Sequence, residues 1–126
     1  MKPPPDLVDI ERCGAVSVLH LRPSPVWKQL SSLTADSLGD SMRRSLEEVS
    51  PGGGVPLVLV NFRSVQEFSG QMMALLARLS AHARQHGGRV ALCNVPVWFA
   101  EIIQVTKLDR LFQSFPDQTE AVRGLT

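Results

Sequence analysis

Short apolar runs alternate along this chain with longer segments whose apolar residues recur every three or four positions, the mark of strands interleaved with amphipathic helices. Leu7, Val8 and Ile10 suggest a first strand and Cys13-Gly14 a turn. Val16, Val18 and His20, alternating with Ser17, Leu19 and Leu21, form a second strand largely buried on both faces that closes an amino-terminal hairpin. Pro23 and Pro25 keep 23–33 from forming a regular helix, so that segment is a connection anchored by one aromatic residue, Trp27. A helix is expected over 35–49. Thr34 would be its N-cap, Asp36 lies where the dipole favours an acid, and Leu38, Met42, Leu46 and Val49 share one face. Pro51-Gly52-Gly53-Gly54 ends it.

The second half repeats one unit. Residues 57–60 are continuously apolar, as a central strand covered on both faces should be. The spacing then predicts a helix over 70–86, with Met72, Leu75, Leu76, Leu79 and Ala83 inward, Arg78, His82 and Gln85 outward, and Gly87-Gly88 as its stop. Another buried strand is expected over 89–94. Pro96, in the first turn, leads a helix through 106; a last strand spans 111–115, and Asp117 caps a short helix through Val122. The order ββαβαβαβα implies an α/β fold with a mixed, mainly parallel sheet of four or five strands flanked by helices. Leu59, Leu76, Leu92 and Ile103 are the expected centre of its core.

At 126 residues, with 44% hydrophobic and 20% charged, the chain suits one domain around one core. The organisation expected is a flexible proline-rich tail at 1–6 and a single domain at 7–126. Thirteen Lys and Arg against 12 Asp and Glu leave a net charge of +1, too little to draw in nucleic acid or an anionic membrane. The start, MKPPPDLV, lacks a signal-peptide core, and no run approaches the ~20 apolar residues of a membrane span. A cytoplasmic protein without membrane insertion is expected. Cys13 and Cys93 have neither disulfide nor metal-ligand spacing and read as small core residues.

The motifs for chemistry are sparse. Gly52 to Gly54 lack the Gly-Lys-Ser/Thr of a phosphate-binding loop and precede a strand. His82 and His86 stand at metal-pair spacing on a helix, but no glutamate or third ligand nearby completes a site, and a solvated face near the helix C-terminus accounts for them. Asp36 and Asp40 have Arg43 and Arg44 within reach for local ion pairing. No GxSxG or other nucleophile pattern occurs, so the reading is of a non-enzyme without cofactor or metal. One segment carries more apolar surface than a sheet-flanking helix needs: in VWFAEIIQV nearly the whole circumference is apolar. Trp98 and Phe99 either fold onto the body of the domain or form an interface, for a partner or a second copy.

The element order, with LVLVNFRSV, then HGGRVALCNV, then IIQVTKLDRLFQSFPDQTEAV, resembles a STAS domain of the bacterial anti-sigma factor antagonist family over roughly 8–122. That resemblance implies a protein-binding regulator of transcription whose partner is both an anti-sigma factor and a serine kinase. In such proteins the turn after the third strand usually reads Asp-Ser-Ser/Thr-Gly, and the partner phosphorylates its serine; the dephosphorylated antagonist binds that partner and frees the sigma factor. The matching positions here are Ser69, Gly70, Gln71 and Met72, and all four depart; Asn61 replaces a common aspartate and Lys107 a frequent glycine. The resemblance therefore points to a recognition surface at Phe68, Ser69, Gly70 and Gln71, joined by Trp98 and Phe99, with Ser69 the fallback acceptor for phosphate. The alternative it leaves open is a STAS-like structural or sensing subunit of a larger assembly, such as a lipid-transport complex.

Overall fold

The computed structural model describes residues 8–23, 27, 38–40, 44, 55–65 and 70–126. Its elements are β1 (Val8–Cys13), β2 (Val16–Leu21), β3 (Leu57–Asn61), α1 (Gln71–Gln85), β4 (Arg89–Cys93), α2 (Val97–Val105), a 3-10 turn (Leu108–Arg110), β5 (Gln113–Phe115) and α3 (Gln118–Leu125). Residues 38–40 and 44 are helical, as expected for the 35–49 segment; the other residues for which that helix is expected, the tail at 1–6 and the glycines at 52–54 lie outside the described residues.

The five strands form one sheet in the order β1-β2-β3-β4-β5. β1 and β2 pair antiparallel through a turn at Gly14, whose φ of 62° suits glycine. β2, β3, β4 and β5 pair parallel, so four carboxyl ends emerge side by side at one edge. β3 is the centre, with β2 on one side and β4 on the other.

Two layers cover the sheet. On one face Leu19, Leu21, Val58, Val60 and Leu92 meet α1 through Met72, Leu75, Leu76, Leu79 and Ala83, and α2 through Phe99 and Ile103. Trp27 is fully buried on this face, its indole N–H donating to the Arg22 carbonyl at 2.7 Å, which makes it the anchor its connection needs. On the other face Val16, Val18, Leu59, Ala91 and Cys93 meet Ala121 and Leu125 of α3. The expected core residues Leu59, Leu76, Leu92 and Ile103 are all buried.

Three boundaries differ from the sequence reading, each for a local reason. Pro96 is the N-cap of α2 with ψ 145°, because its ring fixes φ but its own residue is still extended. β5 begins at Gln113, since the 3-10 turn and the Leu111 N–H to Leu108 carbonyl bond at 2.9 Å use up the preceding residues. α3 continues past Val122 to Leu125. Gly124 does not stop it, because a side chain there would strike the Phe115 ring at 2.5 Å and glycine lets the helix lie against the sheet. Asp117 caps it as expected, accepting from the Glu120 N–H at 2.9 Å.

Candidate functional site

Parallel strands place loops at their carboxyl ends, where open α/β sheets hold their sites. The loop after β3 is built on Asn61. This side chain is 5% exposed and makes three hydrogen bonds: Oδ1 accepts the Arg63 N–H at 2.9 Å and the Asn94 amide at 3.1 Å, while Nδ2 donates to Gln118 Oε1 at 3.2 Å. The bond to Arg63, two residues on, is an Asx turn that reverses the chain. The Phe62 N–H continues the ladder to the Cys93 carbonyl at 3.1 Å, and the Val65 N–H closes back on the Phe62 carbonyl at 3.0 Å. Phe62 and Val65 are buried, which pushes Arg63 and Ser64 out as an exposed tip.

Asn61 is the centre of a polar row. The register sets His20, Asn61, Cys93 and Phe115 abreast across β2 to β5 on the face that α3 covers. Gln118 Nε2 donates to Glu11 Oε1 at 3.2 Å and to Cys13 Sγ at 3.5 Å, and His20 Nε2 lies 2.7 Å from the same Glu11 oxygen. The His20 hydrogen bond, helped by that from Gln118, holds the Glu11 carboxyl below its ordinary range. Burial, with the Asp117 charge adding to it, pushes the Cys93 thiol up to about 12. Cys93 is therefore a neutral core thiol at physiological pH, and the half-buried Cys13 is a hydrogen-bond acceptor at the sheet margin.

Of the recognition residues expected from sequence, Phe68 and Ser69 lie outside the described residues, and with them the cap expected from Ser69. Gly70 is exposed at the start of α1 with helical φ and ψ of −59° and −22°, and Gln71 beside it is half-buried. No acidic side chain stands in the first turn of α1 itself. The two α2 aromatics part company. Phe99 is 2% exposed and packs against Phe62 with ring centroids 5.6 Å apart, so it belongs to the core and offers no surface. Trp98 is 40% exposed and leans edge-on against Phe99 at 5.8 Å. With Val97, Ile102 and Val105, also exposed, it makes an apolar stripe along the outer side of α2.

Sequence reasoning singled out neither Gln118 nor Asn94 nor the Glu11–His20 pair. Asn94 carried a local signal: it precedes Val95-Pro96 at a strand end and adopts φ 55°, a conformation that asparagine tolerates better than most residues. The other three carried none, because Glu11 and Gln118 meet only through the fold. Among the described residues no group of three His, Cys, Asp or Glu is placed to hold a metal ion, and no helix is long and apolar enough to cross a membrane.

A family model described as Mlab, STAS domain, matches residues 30–113. No curated protein matches. Among solved structures, an anti-sigma-factor antagonist (STAS) domain protein from Planctomyces limnophilus is similar with a TM-score of 0.72 at 20% identity, covering 94% of this chain and 97% of that one. A variant of RsbS from Moorella thermoacetica is similar with a TM-score of 0.70 at 13% identity, covering 94% and 93%.

Proposed function

The chain belongs to the STAS domain family, and from that premise we propose that it is a non-catalytic regulator that binds a protein partner of the anti-sigma factor and serine-kinase type. Residues 7–126 act as one domain, in the cytoplasm. The recognition surface is the loop after β3 with the first turn of α1: Arg63 and Ser64 at the tip, Phe68, Ser69, Gly70 and Gln71 beyond it. One observation carries this reading: Asn61 ties three elements together to hold that loop, and a tip fixed in this way loses little entropy on docking. The same surroundings argue against catalysis, since the buried thiol is neutral and the only exposed hydroxyl described in the loop, Ser64, is not accompanied by a base in the hydrogen bonds found there.

The test is binding of the purified chain to the kinase-fold anti-sigma factor from the same genome, measured by calorimetry. Arg63→Glu and Gly70→Asp should each weaken binding at least tenfold while leaving the urea midpoint within error. Binding that is absent, or that ignores both changes, defeats the proposal.

The exposed stripe on α2 supports a second reading, in which the chain is a structural or sensing subunit of a larger assembly, such as a lipid-transport complex, or pairs with a second copy. Co-purification with a membrane ATPase, lost on Trp98→Glu and retained on Arg63→Glu, would favour that reading over the first.

A further inference from the structure

A cleft of about 460 Å³ opens between α1 and the helical residues 38–40, away from the recognition loop, and is lined by Gly39, Asp40, Arg78, Leu79, Ala81, His82, Gln85 and His86. His82 and His86 are four residues apart at the carboxyl end of α1, and their rings lie side by side with centroids 4.7 Å apart and planes inclined at 60°. We propose that this pair is a binding site for a divalent transition-metal ion, with a preference for copper(II) or nickel(II).

The argument is geometric. With metal–nitrogen bonds of about 2.0–2.1 Å and a ring nitrogen about 1.1 Å from its centroid, two imidazoles aimed at one ion with centroids 4.7 Å apart subtend about 95° at the metal. That angle is close to the right angle between neighbouring ligands in tetragonal coordination and well short of the tetrahedral angle that zinc adopts. Parallel stacked rings could not converge on one ion; rings inclined at 60° can. The backbone holds the spacing, because positions four apart on a helix stand one above the other.

The electrostatics favour one class of cation. The site sits in the last turn of α1, where the helix dipole favours positive charge, and Asp40 faces it across the cleft. The two ligands are imidazole nitrogens, so hard, oxygen-seeking ions such as magnesium and calcium gain nothing here. An ion that forms strong bonds to neutral imidazole does gain, and copper(II) stands at the top of that order.

The experiment is calorimetric titration of the tag-free full chain with copper(II) chloride in a buffer that does not chelate metals, alongside His82→Gln, His86→Gln and His20→Gln. The expected result is one copper per chain, an affinity at least tenfold lower in each of the first two variants, and no change in His20→Gln. Electron paramagnetic resonance should show nitrogen ligation in the parent and its loss in His82→Gln. The urea midpoint should rise with copper in the parent and stay flat in the two cleft variants, a readout of binding to the folded form that does not depend on partner binding. Failure of the parent to bind, equal binding by all four proteins, or loss only in His20→Gln would each overturn the proposal.

Discussion

Replacing Gly88 with alanine should unfold this protein far more readily than replacing Gly87, although the two glycines are adjacent and both belong to the stop of α1. They form a Schellman motif: the Gly88 N–H reaches the Ala83 carbonyl at 2.7 Å and the Gly87 N–H reaches that of Arg84 at 3.1 Å. Gly87 has φ 78° with nothing within 4 Å of where a Cβ would stand. Alanine there pays only for left-handed backbone, about 1 kcal/mol after the entropy that glycine loses on folding is subtracted. Gly88 is not left-handed, but a Cβ on it would lie 1.9 Å from the Pro56 carbonyl oxygen and 2.7 Å from its carbon. An ordinary carbon–oxygen contact is about 3.3 Å, so the backbones must part by about 1.4 Å. Both bonds beside the clash are then at risk: the Arg89 N–H to Pro56 carbonyl at 3.0 Å, which joins the start of β4 to the residue before β3, and the 2.7 Å cap itself. Two backbone bonds at about 1 kcal/mol each, with the strain of overpacking, give about 2–4 kcal/mol. Urea unfolding followed by far-ultraviolet circular dichroism measures both variants. Equal midpoints, or a lower midpoint for Gly87→Ala, would refute the argument that the approach of Pro56 is what requires glycine at 88.

Further outcomes are expected elsewhere. Lys107 stands at φ 61°, so Lys107→Gly should raise stability by about 0.5–1 kcal/mol in the same urea assay. In native protein at about pH 8, a thiol-reactive disulfide reagent should label Cys13 and spare Cys93, whose pKa is near 12; both should react in urea, and rapid native labelling of Cys93 would contradict its burial. Glu11 is held below its ordinary 4.5 mainly by His20, so its contribution is present above that value and lost as pH falls through the lower folded value; the stability advantage of the parent over Glu11→Gln should shrink over that window, and a constant difference would count against the bond. Incubation with ATP and the cognate kinase should add no stoichiometric phosphate to the loop by intact mass, since Gly70 has no hydroxyl; a single phosphate that disappears in Ser69→Ala would reverse this.

The elements were legible where a period persisted. β3 announced itself by an unbroken apolar run at 57–60, β2 by alternation that fills both faces, and α1 by inward residues that are all buried. Where nearly every residue is apolar, the period gives no direction. Trp98 and Phe99 are neighbours on such a helix, and only the docking of α2 on Phe62 decides that one ring is core and the other surface. The polar row was illegible for a different reason: Gln118 and Glu11 are 107 residues apart, and no local pattern marks a glutamine as the bridge between a strand end and a hairpin. Lys107 was noticed only as a replaced glycine, and its left-handed backbone supplies the reason that glycine suits that position.

The replacement of aspartate by asparagine at 61 has a consequence for the site. A carboxylate in this place can accept from Arg63 and Asn94 but has no proton for Gln118, whose Oε1 now receives one from Asn61. Gln118 would have to turn its amide to donate toward residue 61, and its oxygen would then face Glu11, which accepts and cannot donate while ionised. The amide at 61 therefore allows one uninterrupted direction of donation, from Asn94 to Asn61 to Gln118 to Glu11, with His20 donating to the same carboxylate from the other side. The negative charge ends up on Glu11 at the exposed margin of the sheet, where water screens it, and is kept out of the buried row beside the Cys93 thiol. A neutral, hydrogen-bonded row holds the turn at 61–65, and it does so without a charge at the base of the tip that Arg63 presents.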